Sequence, residues 1–299
     1  MTSHRVLVTG ASGLVGRAAA TALAAAGHAV RLMRHHSSVP EGFEIIDAGL
    51  EDQTALREAL DEIEVVVHAA AVIGGDESTL ERVNVRGSEN LFRLSLAQNV
   101  DRVVFVSTAG VYSGQDLIDM DEDHALEPPD PYTKSKLEGE RIGRALLGDS
   151  LTILRPVMIY RSGPCPLLDF IGRLLTGGAP MPHNGGADTP VDMVHTADLS
   201  QAICSAVRGR GAGGVYNVAG PGAVDFRAAM EQCAEIVKTP PNWMPADSGA
   251  PFDSTAHMVA VAPRTVSIAR ARRDLGYEPI RNWGEQIARL DSTAFGSYH

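Results

Sequence analysis

The sequence predicts an α/β fold, a doubly wound parallel sheet carrying a small lobe towards its C-terminal end. Three observations predict it. Short β-branched runs alternate with helical segments through the first 160 residues, some of the runs, such as Val65-Val66-Val67, are unbroken apolar stretches, and a glycine-punctuated turn follows the first of them. Only a crossover helix returns a chain in parallel, and strands covered on both faces need no polar alternation.

The expected strands are residues 5–8, 29–33, 43–46, 64–68, 102–107 and 151–154, with helices over 14–26, 53–60, 78–97 and 131–147 between them. After Pro156 the stretch 160–190 is rich in Gly and Pro, with one helical insert near 167–175. Residues 215–218 read as a return to the sheet, 240–263 show little regularity, and short helices follow near 267–275 and 283–290. The organisation expected is a core of 1–160 with return segments near 190–220, and a lobe made of 161–189 and 221–299.

Composition narrows the function classes. The 299 residues carry a net charge of −11, and 44% are apolar, 21% charged and 5% aromatic. An acidic chain poor in aromatic rings is a poor binder of nucleic acid or anionic membrane. Cys165, Cys204 and Cys233 match no metal spacing and read as reduced, buried thiols. No signal-like or membrane-spanning segment is seen, which makes the cytoplasm the expected compartment.

Thr9-Gly10-Ala11-Ser12-Gly13-Leu14-Val15-Gly16 links the first strand to the first helix. A dinucleotide pyrophosphate needs a tight turn, close backbone approach and free amides at a helix start, and Gly10, Gly13 and Gly16 suit these demands. The second strand ends in Arg34-His35-His36-Ser37-Ser38, without an acid. A cation there suits a 2′-phosphate, where a carboxylate would suit a ribose diol. A solvated basic loop is the alternative. His35 and His36 face opposite ways if extended and make a poor metal pair.

Tyr132 and Lys136 share one face of a helix that begins after Pro128-Pro129-Asp130-Pro131. An ammonium about 4 Å from a phenol favours the phenolate by roughly 4 kcal/mol at an effective dielectric near 20. Half of that lowers the phenol pKa by more than about one unit. Such a pair can pass a proton to or from a carbonyl oxygen.

The glycine turn resembles that of the short-chain dehydrogenase/reductase superfamily, in the spacing of its extended branch of epimerases, dehydratases and reductases. The likeness continues in Ser107-Thr108-Ala109-Gly110-Val111-Tyr112, His68-Ala69-Ala70-Ala71, Asn84-Val85-Arg86-Gly87, Arg155-Pro156, Val194-His195-Thr196-Ala197-Asp198 and Leu275-Gly276-Tyr277-Glu278-Pro279. The resemblance implies a Rossmann-type fold and the catalytic set Thr108, Tyr132 and Lys136. Ser107 competes for the hydroxyl role, and a Thr108 hydroxyl bonded to backbone is the plain structural alternative. The implied cofactor contacts are Gly10, Ser12, Gly13, Leu14, Val15, Gly16, Arg34, His35, Ser37, Leu50, Ala69, Ala70, Ala71, Ser107, Tyr132, Lys136, Pro156 and Val157. Arg34 stands where NAD-dependent members carry Asp, so NADP is expected, with NAD as the other candidate and no metal. In the family the segments 78–97 and 131–147 form a dimer interface, so a homodimer is expected. His195 is structural in the family.

Departures from the family pattern bear on the substrate. Gly49-Leu50 replaces an acid-bearing pair near the adenine, and Met158 replaces an asparagine that addresses a sugar nucleotide. Asp188-Thr189-Pro190 stands where an arginine is expected, and Ala109-Gly110 replaces the Asp-Glu of dehydratases. The expected function is a ketone reductase or secondary-alcohol dehydrogenase for a relatively apolar small molecule. A nucleotide-sugar 4-epimerase and a non-catalytic NADP-binding redox sensor are the alternatives. Ile73, Met158, Cys165, Phe170, Met181 and Trp243 are candidate pocket residues, Met158 and Met181 foremost. His183 is read as an exposed loop residue or a substrate contact.

Overall fold

The computed structural model describes residues 3–112, 117–183, 189–253 and 263–296. The strands are β1 (Arg5–Thr9), β2 (Ala29–Arg34), β3 (Glu44–Asp47), β4 (Val65–His68), β5 (Arg102–Val106) and β6 (Leu151–Pro156). Short strands β7 (Met158–Tyr160), β8 (Pro180–His183), β9 (Pro190–Val191) and β10 (Met193–His195) precede β11 (Val215–Val218), and β12 (Val224–Asp225) and β13 (Asn242–Pro245) follow it. Seven of these form one sheet in the order β3-β2-β1-β4-β5-β6-β11, and every pairing in it is parallel. The order reverses between β1 and β4, and a crevice opens there beyond the carboxyl ends of the strands.

Helices α1 (Leu14–Ala25), α2 (Gln53–Ala59), α3 (Glu77–Leu80), α4 (Gly87–Ala97), α5 (Pro131–Leu147), α6 (Pro166–Thr176), α7 (Thr196–Val207) and α8 (Phe226–Val237) complete the main architecture. One apolar layer joins one sheet face to α1 and α7 through Ala19, Leu23, Leu199 and Ile203. The other joins the opposite face to α2, α4 and α5 through Leu56, Leu91, Phe92 and Leu147. A third cluster, with Leu168, Ile171, Met230, Cys233 and Trp283, is the core of the lobe. Ala271, Leu275 and Tyr277 pack instead into the layer under α7. All three cysteines are free and buried.

Sequence and structure differ in instructive ways. The expected single helix over 78–97 is α3, a π-helical segment Glu81–Arg86 and α4. The π turn holds Asn84, whose amide brackets Val72 through N–H and C=O bonds of 2.9 Å each and donates to Ser135 Oγ at 2.9 Å. Helix α7 escapes a periodicity search because it is buried almost all round, so it has no polar face to mark it. Helix α8 does carry the spacing, at Phe226, Ala229, Met230, Cys233 and Ala234, and Asp225 caps it.

A buried polar network ties the carboxyl edge of the sheet to α5. Arg155 on β6 and Glu140 on α5 are each 3% exposed at the side chain and meet in a two-pronged pair at 2.6 and 3.0 Å. Ser107 Oγ donates to the same carboxylate at 2.5 Å. Arg155 also donates to Tyr112 Oη at 2.9 Å, and that hydroxyl donates to Asn217 on β11 at 2.7 Å. Removing one partner of such a pair strands the other charge in a dry interior. Arg155→Met is therefore expected to cost about 3–5 kcal/mol of stability. The double variant Arg155→Met/Glu140→Gln should recover part of it, read by urea unfolding, and a cost for the single variant under about 1 kcal/mol would refute this role.

Candidate active site

The glycine turn lies at the reversal point of the sheet. Gly10 takes φ +67°, and a Cβ there would sit 2.6 Å from the backbone of Ala69 and Ala70. The turn and the segment after β4 are thus packed backbone to backbone, with Ala70 N–H donating to Thr9 Oγ1 at 3.2 Å. Gly13 is exposed, caps α1 without a side-chain bond, and no acid stands in the first turn. The amides of Leu14, Val15 and Gly16 stand in the first turn, where a helix leaves its N–H groups without intrahelical acceptors, a donor set that fits a diphosphate. Ser12 is half-buried beside them, and Ala71 is exposed.

Arg17, one turn into α1, was not singled out from sequence. It donates to the Ser12 carbonyl at 2.9 Å and to the Ser38 carbonyl at 2.6 Å, holding the glycine turn against the loop after β2. Its position one turn after Gly13 was the available signal.

His68 lies beneath the turn, with its ring nitrogens 2.7 Å from Thr9 Oγ1 and 2.9 Å from Ser88 Oγ. Burial, helped by the charge of Lys136, pushes its pKa down to about 3. His68 is thus a neutral strut.

At the far end of the crevice the reading from sequence needs correction. No acid follows β2 in the chain, but the β2–β3 register sets Arg34 opposite Asp47. The two form a two-pronged ion pair at 2.6 and 2.7 Å, which lowers the Asp47 pKa and raises that of Arg34. His35 and His36 do not face opposite ways either. The backbone bends at 35–37, and their ring centroids come within 3.6 Å. His35, Ser37 and Ser38 are exposed, and His35 lies against Gly49. Leu50 is buried under α4, with its carbonyl accepting from Asn90 at 3.0 Å.

Helix α5 starts as its sequence requires. Asp130 and Thr133 close a capping box, with the Thr133 N–H to Asp130 Oδ1 bond at 2.9 Å and Pro131 in the first turn. Lys136 is 2% exposed and its Nζ lies 4.2 Å from the centroid of the Phe105 ring. Burial brings its pKa down to about 7, against the raising influence of Glu140. Tyr132, one turn earlier, is pushed up to about 12 by burial and by Asp130. In the free protein burial and Asp130 outweigh any lowering of the phenol by Lys136.

Thr108 lies two residues past β5 and caps the short turn Ala109–Val111, its Oγ1 accepting the Gly110 N–H at 3.1 Å. The backbone bond expected as the plain alternative is therefore present. It uses an acceptor position and leaves the hydroxyl proton free to donate. Ser107 is buried, and its proton goes to Glu140, which leaves Thr108 as the hydroxyl that faces open space. A Cβ on Gly110 would meet Thr133 Cγ2 at 2.8 Å, so the Thr108 turn abuts the start of α5 beside Tyr132.

Thr108 opens into a cavity of about 200 Å³. Pro156, Val157 and Met158 form one wall, Met120, Val191 and Val266 the other, and Asp192 and Arg264 also reach it. Tyr132 is not among its walls. Of the six candidate pocket residues only Met158 borders this space. Cys165 and Met181 are fully buried in the lobe core, with Phe170 and Trp243 packed against it. Ile73 is 73% exposed. His183 lies half-buried at the end of β8, on a strand and not on a loop. His195 caps α7 from its Nδ1 and meets Ser162 through Nε2. Asp188 lies outside the described residues. Asp192 and Arg264 were missed from sequence because 72 positions separate them and neither sits in a motif. Among the described residues no cluster of three or more His, Cys, Asp or Glu could hold a metal, and no helix is long and apolar enough to cross a membrane.

Comparison with known proteins agrees with this geometry. Residues 6–219 match the NAD dependent epimerase/dehydratase family, and the chain belongs to it. It is 34% identical to L-arabinose 1-dehydrogenase (NAD(P)(+)) of Haloferax volcanii over 46% of this chain and 59% of that one. It is 27% identical to UDP-glucose 4-epimerase of Corynebacterium glutamicum over 92% of this chain and 91% of that one. The chain spans 59% of the length of the Haloferax enzyme and of an uncharacterised Sinorhizobium fredii relative. A crystal structure of a short-chain dehydrogenase/reductase superfamily protein from Agrobacterium tumefaciens, with bound NAD, superposes with a TM-score of 0.81. The two are 25% identical, covering 97% of this chain and 96% of that one.

Proposed function

We propose that the chain is an NADP(H)-dependent oxidoreductase that reduces a ketone or oxidises a secondary alcohol, on a small substrate with an apolar segment. The observation that carries this reading is Thr108. Its hydroxyl proton is free, it faces a cavity walled by Val157, Met158 and Val191, and it borders the turn that starts Tyr132 and Lys136 on α5.

The nucleotide supplies or accepts the hydride. The α1 amides beside the Gly10–Ala69 contact would hold its diphosphate, and Ala70, Ala71, Pro156 and Val157 would contact the rest of it. Thr108 donates to the substrate oxygen and orients it. Tyr132 passes the proton to that oxygen during reduction and takes it back during oxidation. Lys136 carries a pKa near 7 in the free protein, and a ribose and diphosphate beside it favour its charged form. Once charged, it stabilises the Tyr132 phenolate. We assign the lobe built on α6 and α8 to substrate recognition, and the outer faces of α4 and α5 to a homodimer contact.

A nucleotide-sugar 4-epimerase is the second reading, favoured by the likeness to the Corynebacterium enzyme over most of both chains. Met158 in place of asparagine and a cavity of only about 200 Å³ weigh against it. Ligand pockets commonly span about 300–1,000 Å³. Tyr132→Phe is expected to lower ketone turnover about 10²-fold or more while NADPH still binds. Turnover within about threefold of wild type would remove the proposed proton donor.

The cofactor choice rests on Arg34. A 2′-phosphate must compete with Asp47 for the Arg34 guanidinium. Arg34→Met is expected to weaken NADPH binding about tenfold or more and leave NADH unchanged, whereas Asp47→Asn should tighten NADPH. Fluorescence titration with both nucleotides reads this, and equal losses for the two in Arg34→Met would contradict the assignment.

A further inference from the structure

Two ionisable side chains line the cavity beside Thr108, and among the described residues neither forms an ion pair. Asp192 is held by one oxygen, which accepts the Val266 N–H at 2.7 Å. Arg264 is tied through its backbone only, with its N–H to the Pro190 carbonyl at 2.8 Å and its carbonyl accepting from Asp192 N–H at 3.2 Å. Its Nε is buried without a hydrogen-bond partner, and among the described residues its guanidinium forms no ion pair. Burial alone lowers its pKa. A guanidinium has five donors and no acceptor, and it stays charged in proteins. A buried donor of this kind without an acceptor is costly to a fold unless a ligand supplies one.

We infer that Arg264 is the specificity residue of this site and binds the carboxylate of a short keto or hydroxy acid whose reacting carbonyl or alcohol lies at Thr108. This rests on the oxidoreductase reading above. The cavity size limits the substrate to a small acid, and its walls of Met120, Val157, Met158, Val191 and Val266 suit a hydrocarbon segment between the two ends. Asp192, one of whose carboxylate oxygens is taken by Val266, lines the same space. It accepts a hydroxyl where the acid carries one, and its negative charge disfavours a second anionic group. The carboxylate is preferred over a phosphate on this ground, since a dianion would meet the Asp192 charge more strongly.

The test compares acetoacetate and levulinate with their methyl esters, and with dihydroxyacetone phosphate, in the intact protein with NADPH. Wild type is expected to favour the acids over the esters in kcat/KM by about tenfold or more. Arg264→Met should abolish that preference through KM, and Arg264→Lys should retain part of it. Thermal shift with levulinate on the NADP-loaded protein reads binding without turnover, and its upshift should vanish in Arg264→Met. Reduction of esters and acids alike, or a preference that survives Arg264→Met, overturns the inference while leaving the oxidoreductase reading intact. A stronger Arg264-dependent preference for dihydroxyacetone phosphate overturns the carboxylate assignment. Absence of all reduction, with the levulinate upshift still dependent on Arg264, upholds the binding role and overturns the oxidoreductase reading instead.

Discussion

The Arg155–Glu140 pair fixes the relation between α5 and the sheet, and the candidate site depends on it. Tyr132, Lys136 and Glu140 lie at one-turn intervals on the same helix, so anchoring Glu140 against β6 sets where the two preceding side chains stand. Ser107 adds the end of β5 to the same carboxylate, and Thr108 is the next residue. Through Tyr112 and Asn217 the network continues to β11. Four separate elements are thereby held in register by hydrogen-bonded charges in a dry interior. Hydrophobic layers alone, which are tolerant of small slips, do not specify such a geometry.

Much of this was legible in the sequence. The six expected N-terminal strands, their helices and the return at 215–218 match the sheet to within about two residues, because unbroken apolar runs and glycine turns follow directly from burial on both faces. Gly10 was legible for a further reason, since its positive φ and its contact with Ala69 leave no room for a side chain. Helix α7 was not, because burial on nearly every side erases the contrast between faces on which periodicity depends. The π turn at Asn84 was hidden as well, since its cause is a side-chain bond to Val72 on another segment.

The candidate site divides along the same line. Thr108, Tyr132 and Lys136 were expected from spacing and family resemblance, whereas the groups that set their charges were not. Asp47 meets Arg34 only through strand register, Glu140 meets Arg155 across 15 positions, and Arg264 reaches the cavity from the far end of the chain. Electrostatics is therefore the part of the site that a linear reading resolves least. The clearest case is the phenol–ammonium pair. Spacing suggested an acidic tyrosine, but burial dominates both groups in the free protein, raising Tyr132 and lowering Lys136. On the proposed function, a nucleotide beside Lys136 would restore its charge and so couple proton transfer to nucleotide binding.

That coupling can be read directly by following the Tyr132 ring carbon in protein labelled with ¹³C-tyrosine, assigned by its loss in Tyr132→Phe, across pH with and without NADP⁺. The free protein should show no titration of this phenol below about pH 10, in keeping with a pKa pushed up to about 12. With NADP⁺ bound, its midpoint should fall by more than about one unit. A midpoint that does not move when the nucleotide binds would contradict the account.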